Sequence, residues 1–206
     1  MAKLSTELHR YFFSEDRLDR VKLADVLEIA GERSFGFLFV LLAFPSALPV
    51  PAPGYSIPFG ILMLWLAVQL VVGRERPYFF QSWLDRDVPL KAVQGVLAKG
   101  LPWLQRIEVL SRPRFSYICT SLTGRVVLGL AIALMSISMM VPIPGTNTLP
   151  AMGIFVVGFG LLEDDGLISL SGLVLCAMGG TLSTLILIFG YEAVKAGIEA
   201  LKNAVF

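Results

Sequence analysis

The chain has 206 residues, of which 55% are hydrophobic and 16% charged, and its formal net charge is +1. Soluble domains carry about 25% charged residues, so this deficit and a mean hydropathy of +0.73 predict one membrane-embedded domain. The balanced charge gives no basic surface of the kind that nucleic-acid binding needs, and Cys119 and Cys176 have no disulfide or metal spacing.

Residues 1–33 form a charged arm that precedes the first apolar run, so we expect no cleavable signal peptide. Acidic residues after Ser14 are typical of a helix start. One helical face follows at i, i+3, i+4 and i+7, with Leu23, Val26, Leu27 and Ala30. We predict an amphipathic helix on the membrane surface, and a partner-binding helix is the alternative.

Five apolar segments follow: residues 35–50, 57–72, 126–143, 149–162 and 167–191. A spanning helix needs about 20 apolar residues, and only the last segment clears that length comfortably. The other four form two pairs, each joined by a proline-rich break that interrupts helical hydrogen bonding. Each pair therefore predicts a re-entrant or broken-helix hairpin, with structural breaks at Pro49, Pro51, Pro53, Gly54, Pro58, Pro142, Pro144, Gly145 and Pro150.

The stretch from Gly73 to Arg125 is basic and amphipathic, with Trp83 and Trp103 suited to a membrane interface. Within it, residues 88–110 predict an interfacial helix or a weak crossing. Only if this segment crosses the membrane can the two hairpins have inverted topology; otherwise they are parallel. We prefer the inverted arrangement by analogy with transporter folds.

An internal repeat relates the two hairpins at an offset of about 93 residues. The offset superimposes glycines and prolines, whose backbone roles are hardest to replace: Gly31 on Gly124, Gly36 on Gly129, Pro49 and Pro51 on Pro142 and Pro144, Gly60 on Gly153, and Gly73 on Gly166. The fold class is therefore an all-α membrane protein with two proline-broken hairpins. Its single domain divides into an arm (1–33), hairpin 1 (34–73), a connector (74–123), hairpin 2 (124–166), and a final transmembrane helix with a tail (167–206).

The breaks also supply candidate binding residues. Helices that begin near residues 55 and 149 would point their positive N-terminal ends inward, and such ends bind anions without a cationic side chain. The polar groups beside these ends are Tyr55, Ser56, Thr146, Asn147 and Thr148. The alternative is that these groups only cap the helices.

A second candidate is charged. Glu32 and Arg125 occupy equivalent positions in the repeat, and Arg33 follows Glu32. These three residues could form an ion pair that couples protons or ions, whereas charges at the edge of an apolar run often only reach the headgroups. Gln69 lies inside an apolar run and needs a partner there.

Several motifs resemble the ExoD family of exopolysaccharide synthesis proteins. In the first half they are residues 31–36, 48–56 and 69–74; in the second half they are residues 142–150 (PIPGTNTLP) and 160–166 (GLLEDDG). Asp164 departs from a position that is usually basic in this family, and Ser46 from one that is often asparagine. The resemblance implies a multi-pass bacterial inner-membrane protein linked to exopolysaccharide production and alkaline tolerance, with no known reaction.

The chain shows no enzyme motif, and its single histidine, His9, lies in the polar arm. We therefore expect no catalysis, cofactor or metal. The favoured function is transport of a small ion or anionic solute. The alternatives are a non-transporting partner of the polysaccharide machinery, or a lipid-handling protein like the DedA-type proteins. Abundant glycines predict a homodimer within the lipid bilayer.

Overall fold

The computed structural model describes residues 20–22, 27, 30–47, 56–79, 87–89, 94, 113–141, 147–190 and 196. Apart from two three-residue strands, the regular structure of these residues is helical, which confirms the helical part of the predicted fold class. The helices are α1 (Ser34–Ala47, preceded by a 3-10 turn at Gly31–Arg33), α2 (Ser56–Val71), α3 (Tyr117–Thr120), α4 (Leu122–Met140), α5 (Thr148–Leu162) and α6 (Gly166–Phe189). By length and composition, α4 and α6 could each cross a membrane.

The two strands join the arm to the connector. Strand β1 (Arg20–Lys22) pairs antiparallel with β2 (Asp87–Pro89), and Val21 lies opposite Val88. The helix predicted from Ser14 is therefore interrupted at residues 20–22, and the helix predicted from residue 88 has its first two residues in a strand. Pairing with a distant segment provides the backbone hydrogen bonds that a helix would have provided locally.

Each long helix of hairpin 1 packs against a helix of hairpin 2. Helix α1 lies antiparallel to α5, since Gly36 contacts Gly158 while Phe44 contacts Phe155 with ring centroids 6.0 Å apart. A Cβ added at Gly36 would lie 2.7 Å from the Gly158 carbonyl oxygen, so glycine permits this approach. The first helix of hairpin 1 therefore packs mainly against the second helix of hairpin 2.

The same arrangement recurs in the other pair. Helix α2 lies antiparallel to α4, because Gly129 faces Ala67 and Val71 while Gly60 faces Ser136 and Met140. The second helix of hairpin 1 therefore packs against the first helix of hairpin 2.

Helix α6 fixes the relative direction of the two hairpins. It runs antiparallel to α5, with Gly172 against Val157 and Gly179 against Pro150. It runs parallel to α4, since Gly180 faces Met135 and the Ser138 and Ser183 hydroxyls lie 2.8 Å apart.

Because α1 and α6 are both antiparallel to α5, and α6 is parallel to α4, helices α1, α4 and α6 all run in the same direction. The inverted topology expected from the analogy with transporters is therefore wrong for the described helices, because equivalent helices α1 and α4 are parallel. Helix α2 ends where α4 begins, with Gly73 against Leu122. The connector thus leaves and re-enters at the same end of the bundle, and residues 88–110 need not cross.

Among the described side chains, charge is confined to that end. All nine charged side chains that the structure describes lie there: Arg33, Arg74, Glu75, Arg76, Arg114, Arg125, Glu163, Asp164 and Asp165. We call it the charged end, and we call the opposite end, where α1 and α4 end and α2 and α5 begin, the break end. Asp165 caps α6, its Oδ1 accepting hydrogen bonds from Leu167 N (3.0 Å) and Ile168 N (3.3 Å).

Helices α1 and α5 are the most buried, and α2, α4 and α6 each contribute one face to the core. Most of α5 is buried. By contrast, α2, α4 and α6 each expose a stripe of large apolar side chains at helical spacing: Ile57, Ile61, Trp65 and Val68; Val127, Leu130, Leu134 and Ile137; and Leu170, Val174, Met178 and Leu185. Such stripes suit a hydrocarbon solvent.

Candidate polar site at the break end

Both helices that follow a break begin at predicted candidate residues. Helix α2 starts at Ser56, which is buried, and α5 starts at Thr148 after Asn147. Pro58 and Pro150 each lie in the first turn, where a missing N–H removes no helical bond. The other predicted break and binding residues lie outside the described residues: Pro49, Pro51, Pro53, Gly54, Tyr55, Pro142, Pro144, Gly145 and Thr146.

Asn147 does not act as a side-chain cap. Its backbone is helical (φ −75°, ψ −21°), and its side chain makes no capping hydrogen bond. The Oδ1 atom is buried and has no hydrogen-bond partner in the described part of the chain. A buried acceptor without a partner costs about 1–3 kcal/mol, so this group needs a donor from outside the described residues, and water or a bound ligand can supply one.

A second such atom belongs to Ser46, which the sequence analysis did not include among the site residues. Ser46 is 4% exposed, and its Oγ also has no partner among the described residues. It lies in the last turn of α1, on the same face as Phe39 and Ala43, which are fully buried. A lone hydroxyl at the end of an apolar helix, just before a break, was the available sequence signal.

Ser46 and Asn147 lie at the same end of an antiparallel pair, since α1 ends where α5 begins. The structure therefore brings two unpartnered polar atoms to the break end, beside the N-terminus of a 15-residue helix. The Ser138–Ser183 hydrogen bond lies at this end too.

Helix α5 begins within the length of α6. Pro150 lies against Gly179, and α6 continues for ten residues to Phe189, which is about 15 Å of helix. The start of α5 therefore lies well inside the span of the longest apolar helix.

The charged candidates are elsewhere. Arg33 and Arg125 lie at the charged end, so the structure does not bring them to the breaks. Arg125 donates from Nη2 to the carbonyl oxygen of Arg74, and the side chain of Glu32 lies outside what the structure describes. Their coupling role stays a prediction.

Two buried polar residues hold the turns at the charged end. Gln69 bonds both main-chain groups of Tyr78, accepting from its N–H (2.6 Å) and donating to its carbonyl (3.2 Å). This is the partner that Gln69 was expected to need. Cys119 Sγ donates to the Gly160 carbonyl (3.4 Å) and lies 3.3 Å from Ser169 Oγ. Burial raises the pKa of the Cys119 thiol to about 11, so this thiol is unreactive.

Comparison with known proteins places the chain among its relatives. The family described as "Exopolysaccharide synthesis, ExoD" matches residues 4–185. The chain belongs to the ExoD family. It is 47% identical over 203 residues to the uncharacterized protein slr1875 of Synechocystis sp., covering 98% of this chain and 96% of that protein. It is 27% identical over 184 residues to Protein ExoD of Rhizobium meliloti, covering 88% and 75% respectively.

No solved structure matches the chain. The family links the chain to exopolysaccharide synthesis and names no reaction. No group of three or more potential metal-binding side chains (His, Cys, Asp or Glu) occurs among the described residues.

Proposed function

We propose that this ExoD-family protein is a multi-pass protein of the bacterial inner membrane that transports a small ion or anionic solute. Its site lies between the two broken hairpins, at the break end. The observation that carries the proposal is the pair of buried, unpartnered polar atoms, Asn147 Oδ1 and Ser46 Oγ, beside the α5 N-terminus. The proposal includes the division of the chain into an arm, two hairpins, a connector and a final helix, with the residue bounds given in the sequence analysis.

Membrane placement is supported by length and by surface. Helices α4 and α6 have 19 and 24 residues, and the apolar stripes on α2, α4 and α6 would face lipid. A soluble chain would instead cover or charge such stripes. The basic connector and arm meet the bundle at the charged end, which the positive-inside rule assigns to the cytoplasm.

A repeat with parallel hairpins is part of the proposal. Gly36 meets Gly158 in one helix pair, and Gly129 meets Ala67 in the other. Gly36 and Gly129 are equivalent in the repeat, and their partners Gly158 and Ala67 lie within two residues of the same offset, which supports a pseudo-two-fold axis along the helices. Such an axis places both breaks at the same end, where one site can draw on both.

The two helix starts at the break end favour an anion locally. The N-termini of α2 and α5 both lie there, and each carries about half a positive charge from aligned peptide dipoles. The C-termini of α1, α4 and α6 carry the opposite partial charge at the same end, so the attraction is confined to the two helix starts. The described acidic side chains all lie at the charged end, so none of them neutralises these dipoles. The hydroxyls of Ser46 and Ser56 and the Nδ2 of Asn147 can donate hydrogen bonds to an anion, whereas the unpartnered Asn147 Oδ1 only accepts and would take a donor group of the solute or a water molecule.

Anion flux into proteoliposomes tests the proposal, with Asn147→Asp as the decisive variant. Aspartate fits the backbone position equally well but places a negative charge where the solute must bind. We expect the variant to fold, and its anion flux to fall about tenfold or more, because like charges in contact cost several kcal/mol.

Thr181→Val is the matched control, since Thr181 lies exposed on α6 and bonds only its own helix. It should keep full flux. Full flux in a folded Asn147→Asp protein would overturn the anion site. No flux of any ion in the wild type would favour a non-transporting partner of the polysaccharide machinery.

A further inference from the structure

The charged end carries an exposed surface that the transport proposal does not use. We infer that six residues, Arg74, Arg76, Tyr78, Arg114, Phe115 and Tyr117, form a docking surface for anionic phospholipid headgroups. We call it the basic-aromatic surface. The inference rests on the membrane placement proposed above and not on transport.

The exposed charge on this surface is predominantly positive. Arg74, Arg76 and Arg114 are exposed, and Glu75 is the one exposed acidic side chain among the described residues. Glu163 and Asp164 are partly buried, and Asp165 is buried as the α6 cap. Although acids and bases are nearly balanced at this end, the bases are therefore the groups presented outward.

Aromatic rings accompany the arginines. Tyr78, Phe115 and Tyr117 are 52%, 58% and 66% exposed. The two tyrosines, each with an apolar ring and a polar hydroxyl, suit the headgroup level of a membrane, and Phe115 adds apolar surface to the same region. The Arg74 guanidinium lies 5.4 Å from the Tyr78 ring centroid. The Phe115 and Tyr117 rings meet edge to face at 6.3 Å.

Both segments are held rigidly. Segment 74–78 is fixed by Gln69 on Tyr78 and by Arg125 on the Arg74 carbonyl. In the second segment, residues 114–117, Phe115 has φ +50°. A non-glycine residue keeps this conformation only where neighbouring contacts impose it. Gly166 N donates to the Arg114 carbonyl (2.7 Å), and Ile118 N donates to the Phe115 carbonyl (2.9 Å).

The surface lies where headgroups are expected. The apolar stripe of α2 ends at Val68, the exposed Val72 follows the helix two residues before Arg74, and the stripe of α4 begins at Val127, two residues after Arg125. A bilayer covering the stripes would therefore bring its headgroups level with the exposed arginines. Headgroups of the cytoplasmic leaflet include anionic lipids, which attract such arginines.

Phosphatidylglycerol titrated into the full chain in neutral detergent tests the inference, with the thermal midpoint as the readout. We expect a saturable rise with phosphatidylglycerol, none with phosphatidylcholine, and a weaker rise at high salt because of screening. The double variant Arg76→Gln/Arg114→Gln should weaken the apparent affinity about 25-fold, roughly fivefold for each arginine. Both positions are exposed, so the variant should fold.

Glu75→Gln is the matched control on the same surface, and it should keep or strengthen the response. Equal responses to both lipids, an unchanged double variant, or the same response to inorganic phosphate would each overturn the inference. If the double variant keeps its lipid response but loses a protein that copurifies with the wild type, the surface docks a protein and the lipid assignment is wrong.

Discussion

At the scale of single residues, the break end combines burial with missing hydrogen bonds. Ser46 Oγ and Asn147 Oδ1 are both buried without partners in the described chain. Each such atom costs about 1–3 kcal/mol, so folding alone would favour apolar replacements. Groups kept at such a cost are more readily explained by binding than by stability.

Ser46→Ala tests that reasoning directly. Removing an unpartnered hydroxyl should leave the thermal midpoint unchanged or raise it, while transport falls. Ser136→Ala is the control, because Ser136 is equally buried but its Oγ bonds the Ile132 carbonyl at 2.7 Å. That variant should lose about 1 kcal/mol of stability and keep transport. A Ser46→Ala protein with wild-type transport would show that Ser46 is not part of the site.

The buried thiol of Cys119, which lies outside the membrane-spanning helices, should make the stability of the protein depend on pH. Burial raises its thiol pKa from 9.0 to about 11, so between these values the folded chain holds a proton that the unfolded chain has released. The thiol's contribution to stability is therefore complete below pH 9 and is lost as the pH rises to about 11.

The measurement compares thermal midpoints of the wild type and Cys119→Ser between pH 8 and 11. The stability difference between them should shift by about 2 kcal/mol against the wild type over that range. The comparison cancels groups that titrate in both proteins. A constant difference would contradict the assigned burial of the thiol.

At the scale of helices, glycine determines which pairs can pack. Gly36 and Gly158 let α1 and α5 approach closely, and Gly153 and Gly172 do the same for α5 and α6. Without a hydrophobic driving force inside a membrane, such close contact is a main source of helix association. Helix α5 is therefore central because small residues line two of its faces.

Gly36→Ala should destabilise the bundle by about 1–3 kcal/mol, since its methyl group would meet the main chain of α5. Gly180→Ala is the matched control, because its methyl would meet only the flexible end of Met135 at 3.1 Å. Thermal unfolding of both variants in detergent is the measurement. Equal midpoints would mean that the α1–α5 approach is not as close as described.

At the scale of the whole molecule, the hairpins share one direction. This arrangement places residues 76 and 114, which lie in the first and last parts of the connector, at the same end. An inverted repeat would place them on opposite sides of the membrane. Single variants Arg76→Cys and Arg114→Cys therefore distinguish the two topologies.

We expect a membrane-impermeant thiol reagent to label both variants from the same side, in whole cells and in inverted vesicles compared in parallel. The native cysteines are suitable as a silent background because Cys119 and Cys176 are only 5% and 3% exposed. Labelling from opposite sides would restore the inverted arrangement. The positive-inside rule predicts that the shared side is the cytoplasm.

The sequence by itself determined the class, the family motifs and the helix starts. Proline acts on its own turn and on the turn before it, so the starts of α2 and α5 near Ser56 and Thr148 follow from local chemistry. The low charge and long apolar runs likewise indicate a membrane protein without tertiary information, because the free energy of moving a segment into lipid depends on its composition.

Only the tertiary structure decided the direction of the hairpins, the partner of Gln69 and the isolation of Ser46. A repeat offset is the same whether the connector crosses the membrane or returns, so the sequence could not choose between the two topologies. Direction is instead fixed by contacts between residues far apart in the chain, such as Ser138 with Ser183. Whether a buried hydroxyl finds a partner likewise depends on which distant helix faces it, and no local pattern encodes that.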